Sequence, residues 1–377
     1  MKTFLIAMLA LSLHAYAAPY TPKSGNEIIA KWSAPTITEL QSIKTTARLT
    51  PNDPTAIVAL ANAYLVQAAQ PGQSRLYGLA QAVLKPFIEK NIQDKNVWLV
   101  WAQVQQHQHN FVVAQEAIAK VLAQDPTNEN AHLLAARIYV IQDNALAARS
   151  SCLKLLGSVD LLTVSACSLE ANSYLNPNDL AASYQQLAVL IQRQGLPNDE
   201  RAIWLIQLLA DLAIRNNDPT TAATWLAQRL TNASVNYLAQ WADVQLALNN
   251  SQLVLSHLAP IVTAAPEMDD ALLLRLALSE KNIGAENSGR KIFEKENIET
   301  ANHWQTQLAE RVALREQRQD SLHASELAMY YLDIAPNPAK ALHWAQINIA
   351  NTREYSDKKL LARAQQFNQT PSTQPGI

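Results

Sequence analysis

The stretch Lys95–Asn128, KNVWLVWAQVQQHQHNFVVAQEAIAKVLAQDPTN, decides how the rest of the chain is read. Trp98, Trp101 and Ala102 recur at the spacing of one helical face. Ala114, Ile118 and Val121 recur the same way on a second face, and Pro126 closes the segment. Apolar residues three and four apart mark an amphipathic helix, so the stretch predicts two helices separated by the polar run His107–Asn110. Stepping 34 residues forward lands on Ala136, Tyr139 and Ala148, and going back Ala61 and Tyr64 hold the matching positions of a unit about seven residues longer. Small residues thus return in register at a fixed period, which is the signature of an array of supersecondary units.

This pattern resembles the tetratricopeptide repeat, which places large residues at positions 4, 7, 11, 24 and 27, small ones at 8 and 20, and Pro at 32; here Ala102, Ala114 and Pro126 hold positions 8, 20 and 32. Gln105 at position 11, Val121 at position 27 and, one unit on, Asp160 at position 32 depart from it. The unit before Lys95 carries an insertion of about seven residues around Gln70–Ser74, after which Ala80, Leu84 and Phe87 resume the second-helix pattern. Downstream, Ala210, Ala213, Ala222 and Leu226 fit one unit, and Trp241, Ala242, Leu258, Ile261 and Pro266 fit the next. Helical patterning continues over Leu272–Asn297 and Glu299–Pro336, with Ala324, Ala328 and Tyr331 assigned to a second helix. The resemblance implies an all-α fold, an α-solenoid wound as a right-handed superhelix of helix-turn-helix repeats. Small residues at positions 8 and 20 let paired helices approach closely, and each pair buries its apolar face against the next.

The chain divides accordingly into an N-terminal segment or degenerate repeat over 18–53, a repeat array over 54–336, capping helices over 337–367 and a polar, Pro-containing tail over 368–377 that reads as disordered. Residues 1–17 read as a signal peptide: Lys2, then the apolar run Phe4–Leu13, then the small-x-small pattern Ala15-Tyr16-Ala17, with cleavage after Ala17. That places the mature protein in the periplasm or outside the cell. The apolar run is shorter than the ~20 residues a membrane span requires, so no transmembrane anchor is expected. The net charge of −2 over 377 residues lacks the basic footprint of a nucleic-acid binder.

The two cysteines, Cys152 and Cys167, fall in this register on a second helix and on the following first helix, either side of a turn near Gly157–Asp160. An antiparallel hairpin brings them face to face, and an exported protein makes a disulfide the favoured reading, with two buried thiols the alternative. His107 and His109 flank the turn of the best unit, where a solvated turn outweighs a metal site; His303, His323 and His343, spaced by 20, match no helical face. No nucleophile elbow, phosphate-cradling Gly loop or zincin helix is found, so no catalytic, cofactor or metal residues are assigned and an enzyme is not expected.

In such a superhelix the first helices line the concave face, with positions 2, 5, 9 and 12 pointing inward. The candidate groove set is Asn96, Leu99 and Gln103 in the best unit, and Asn130 and Arg137 in the next. It continues with Trp204, Gln207 and Asp211, then Asn236 and Asp243. Amides interspersed with apolar positions suit an extended peptide backbone, because an amide side chain both donates and accepts. The Lys/Asn/Arg carboxylate clamp known in the family is matched only at Arg137. The expected role is an interaction scaffold for a protein or peptide partner in the envelope or outside the cell, without nucleic acid. The alternative is a small-ligand or glycan binder that uses Trp204 and Trp241 with the amides.

Overall fold

The computed structural model describes residues 38–289 and 302–369. The signal-peptide reading, the segment 18–37 and residues 370–377 of the tail lie outside the described residues. All regular structure among them is helical.

Helices follow one another in hairpins. The first two are α1 (Thr38–Leu49) and α2 (Pro54–Ala68), then α3 (Arg75–Glu89), α4 (Lys95–His107) and α5 (Phe111–Gln124). Next come α6 (Glu129–Ile141), α7 (Ala145–Leu153), α8 (Leu161–Leu175) and α9 (Leu180–Gln194). The middle of the array holds α10 (Arg201–Arg215), α11 (Pro219–Leu226), α12 (Val235–Ala247) and α13 (Ser251–Ala264). The last units are α14 (Asp270–Gly289), α15 (His303–Arg318), α16 (Ala324–Met329), α17 (Pro338–Asn351) and α18 (Tyr355–Gln369). Each even-numbered helix packs on the next even one from α2 to α18, making one continuous layer, while the odd helices pair with them from outside. This is an all-α solenoid of tetratricopeptide-like helix pairs. No described helix is long and apolar enough to cross a membrane.

The small positions do what the repeat requires. Ala61, Ala80, Ala102, Ala114, Ala148, Ala210, Ala222 and Ala242 are all fully buried. A larger side chain there would force the paired axes apart and strain a close-packed interior. Trp98, Trp101, Ile118 and Val121 fill the space between neighbouring pairs.

The turn inside each unit is also repeated. His109, Asp143, Asn217 and Asn249 each adopt positive φ, between 59° and 64°, just after the first helix ends. The following amide reaches back to a carbonyl five residues earlier: Asn110 to Gln105, Asn144 to Tyr139, Asp218 to Ala213 and Asn250 to Gln245. That is a Schellman-type cap, in which Asn and Asp tolerate the left-handed conformation best after Gly. It explains the polar residue at position 11. Gln105 Oε1 accepts from the Asn110 side chain at 3.1 Å, and Gln245 Oε1, at the same position of its unit, accepts from Asn250 at 2.9 Å, so a Gln there locks the turn in both units.

Two expectations shift, and a third lies partly outside the described residues. First, α16 belongs to the inner layer, against α14 and α18, and is not a second helix; α15 is the outer partner of α14. Second, the helix through Leu272 is described from Asp270 to Gly289, and residues 290–297 of the expected run lie outside the described residues. Third, α18 continues through Asn368 and Gln369, which the sequence had assigned to the tail.

The array also folds back upon itself. The α2–α3 connection meets the start of α12 and the α13–α14 turn: the Val235 amide donates to Ala69 O at 2.9 Å, and the Gly72 amide donates to Asp269 Oδ2 at 2.6 Å. The α17–α18 turn meets α6: the Arg353 amide donates to Ile141 O at 2.7 Å. These two seams join residues 197 and 217 apart, about six repeat units.

Candidate binding groove

Position 9 of successive inner helices forms a line: Gln103 on α4, Arg137 on α6, Glu170 on α8, Asp211 on α10, Asp243 on α12 and Arg275 on α14. The register puts one side chain per inner helix on the face turned away from the outer layer. The charges read plus, minus, minus, minus, plus from Arg137 to Arg275. Neighbours pair along the line. Arg137 Nη1 lies 3.4 Å from Glu170 Oε1, and Arg275 grips Asp243 through two bonds of 2.8 and 2.6 Å. A parallel, two-bonded arrangement of this kind is the strong form of the guanidinium–carboxylate contact.

The centre of the line is crowded. Arg215 donates to Ser173 Oγ and Ser173 O at 2.9 and 2.8 Å and to Asp211 Oδ2 at 3.2 Å, while its guanidinium stacks over the Tyr174 ring at 3.8 Å. Arg137 holds both oxygens of Glu354, from the α17–α18 turn, at 2.8 and 3.2 Å. Three carboxylates therefore face two guanidiniums. Burial pushes Glu170 up to about 7, with Asp211 and Glu354 adding to it and Arg137 and Arg215 opposing. Burial raises the Asp211 carboxyl and the Tyr174 phenol as well. Glu170 is thus poised to share a proton near neutrality, because desolvation and like charges both disfavour its anion.

Of the predicted set, the structure brings Arg137 and Asp211 into this cluster and sets Asp243 against Arg275. Gln207 is paired with Gln240, donating to its Oε1 at 3.1 Å and accepting from it through the backbone carbonyl at 3.0 Å. Gln103 is half-buried on the line itself. Asn96, Asn130 and Asn236 are exposed in the first turns of α4, α6 and α12, at the rim. Leu99 packs against the N-terminal core, and Trp204 packs against two clusters built around Cys152, Val164 and Leu209. Trp241 is buried. Glu170, Tyr174, Arg215 and Arg275 were missed. The unit following Cys152 is one residue short, which moves position 9 from Ala171 to Glu170.

The histidine turn is not a plain solvated loop. His107 stacks on Tyr77, and burial lowers its pKa, with His109 and His323 adding to the effect. His109 is shifted down by burial too, and faces Glu326 and Asp357 from the C-terminal helices. His107 still reaches water, so the turn sits in a hemmed-in recess and not in the core.

Cys152 on α7 and Cys167 on α8 face each other with Cα atoms 5.6 Å apart, a disulfide-capable pair at the place where the hairpin turns.

No protein-family model and no curated protein matches the chain. Among solved structures, it is similar to a tetratricopeptide repeat protein from Parabacteroides merdae at 13% identity and a TM-score of 0.46, covering 64% of this chain and 91% of that one. It is also similar to the C-terminal part of a TPR repeat-containing protein from Cytophaga hutchinsonii, at 13% identity and a TM-score of 0.36, covering 70% and 99%. The TPR domain of P58(IPK) aligns at 12% identity and a TM-score of 0.26, covering 83% and 99%. The 34-residue period, the buried alanines and the repeated turn carry the fold assignment without them.

Proposed function

We propose that the protein is an exported, non-catalytic interaction scaffold that holds a peptide or protein partner along its inner face. The observation that carries this reading is the line of position-9 side chains, one per inner helix, which runs from the amide of Gln103 through five charged residues, with the Gln207 amide beside it at position 5 of α10. Such a line offers regularly spaced polar contacts to an extended chain, which is how a solenoid surface recognises a partner. The exposed Asn96, Asn130 and Asn236 add hydrogen-bonding groups at the rim. Trp241 is buried and Trp204 is packed into the array, so neither supports the stacking platform that a glycan binder would need.

The N-terminal apolar run supports export, and the facing cysteines suit an oxidising compartment. We assign a Cys152–Cys167 disulfide to the mature protein. Closing a loop of this size contributes ~3 kcal/mol.

The test is crosslinking in the native compartment, followed by identification of what is captured. A protein or peptide joined to inner-layer residues such as Gln103 or Asp243 supports the reading. Capture through the outer helices alone, or of cell-wall glycan with no protein, overturns it. N-terminal sequencing of the mature chain should begin at Ala18; a chain retaining Met1 sinks the export reading. Alkylation of unreduced protein should modify neither cysteine.

A further inference from the structure

The α17–α18 turn lies against α6 much as a bound peptide would. Arg353 gives a main-chain amide to the Ile141 carbonyl at 2.7 Å. Glu354 places its carboxylate in the fork of Arg137 at 2.8 Å, and Lys358 places its ammonium 2.6 Å from Asp143 Oδ1. One backbone bond, one carboxylate and one cation four residues later are the elements of specific peptide capture.

The two sides of this contact belong to different apolar cores. Leu360 and Ala364 of α18 are buried with α10–α17, in a cluster that excludes every residue of α6 and α7. Ile138 and Ile141 of α6 are buried with the N-terminal helices. The contact itself is polar and open to water, with the Lys358 and Asp143 side chains 48% and 43% exposed. Polar, partly solvated contacts between separately cored parts of a chain are the ones that open.

We propose that the α17–α18 turn is a releasable latch on the groove, and that it covers a site for a partner peptide segment whose carboxylate side chain takes the place of Glu354 on Arg137. The segment that fits carries a carboxylate side chain and, four residues on, a Lys or Arg for Asp143. Displacement exchanges like for like: the partner's carboxylate replaces Glu354, and its main-chain N–H replaces that of Arg353. The proposal rests on the scaffold reading, but its tests do not need the natural partner.

Hydrogen exchange on the full chain gives the first test. The Arg353 amide should exchange at least a hundredfold faster than core amides such as that of Ala102. Glu354→Lys, and separately Arg137→Glu, should each speed exchange over 353–358 tenfold or more while leaving α4 and α12 protected. The double variant, Arg137→Glu with Glu354→Lys, should restore protection. Exchange at Arg353 only through global unfolding, or no rescue in the double variant, overturns the latch.

The second test adds a labelled peptide spanning residues 351–369 of this chain and follows its anisotropy. It should bind the Glu354→Lys variant at least tenfold tighter than the wild type. Equal binding to both, or binding to neither, overturns the covered site. A failed crosslinking search with a positive exchange result would remove the scaffold reading and leave the latch standing.

Discussion

The array is closed on itself at two places, and they are built differently. The seam at Gly72 is a fit of backbone to backbone. Gly72 has φ +73°, and a Cβ there would come within 2.7–2.8 Å of Glu267 O, the Ala265 Cβ and the Pro266 Cδ. Its amide is tied to Asp269, the Ala69 carbonyl accepts from Val235, and Arg75 reaches Glu267 at 3.7 Å. The seam at Arg137 is held mostly by side-chain tips with solvent around them, plus a single backbone bond. The first tolerates no added atom; the second consists largely of exchangeable charges. A superhelix can therefore be permanent at one crossing and conditional at the other.

Gly72→Val should break this contrast most sharply. It strains the left-handed backbone and collides with the α13–α14 turn, costing about 2–4 kcal/mol in urea denaturation. Gly157→Val is the control. Its φ is +86° but nothing lies within 4 Å of the added Cβ, so only the dihedral cost of about 1–2 kcal/mol should appear. Equal losses at the two sites would show that the Gly72 fit contributes nothing.

At the other seam the expected effects are smaller and depend on pH. Glu170 titrates near 7 in the folded protein against 4.5 ordinarily, so the folded state binds the extra proton between those values. The Glu170 contribution to wild-type stability should accordingly rise as pH falls from 7 towards 4.5, by on the order of 1–2 kcal/mol, while His107 and His109, whose pKa values burial lowers, pull the other way over the same range. Glu170→Gln should lack that contribution, so its advantage over the wild type is greatest above pH 7 and gone by about pH 4.5. Unfolding midpoints measured at pH 5, 6, 7 and 8 decide it; parallel curves for the two proteins contradict the assignment. The smallest effect belongs to Glu354→Gln. Global stability should move by less than about 1 kcal/mol, because partly exposed ion pairs contribute little. A loss matching that of Gly72→Val would make the two seams alike.

The repeat unit was legible because its determinants are local and periodic. Ala102, Ala114, Ala136 and Ala148 announce close helix packing by size alone, and the 34-residue step from the first two to the last two confirms them. The seams were not legible, since their partners lie about 200 residues apart and use ordinary polar side chains with no period. The insertion around Pro71 was visible as an interruption. Its purpose depends on Gly72 sitting under Pro266, which no local pattern encodes. The line of position-9 side chains was half legible. Arg137, Asp211 and Asp243 followed from the register, while Glu170 was lost to a one-residue shortening after α7 and Arg275 to the looser spacing beyond α13. The placement of α16 failed for a related reason, because amphipathicity marks a helix without saying which layer it joins.

Open repeat arrays gain or lose whole units easily, since each unit touches only its neighbours. The two seams remove that freedom here. Deleting or duplicating one unit between Gly72 and Asp269 would rotate the later turns out of phase with the earlier ones, and Gly72 would face a different helix. The number of units between the seam partners is then a counted quantity, fixed by a glycine and a carboxylate that are strangers in sequence.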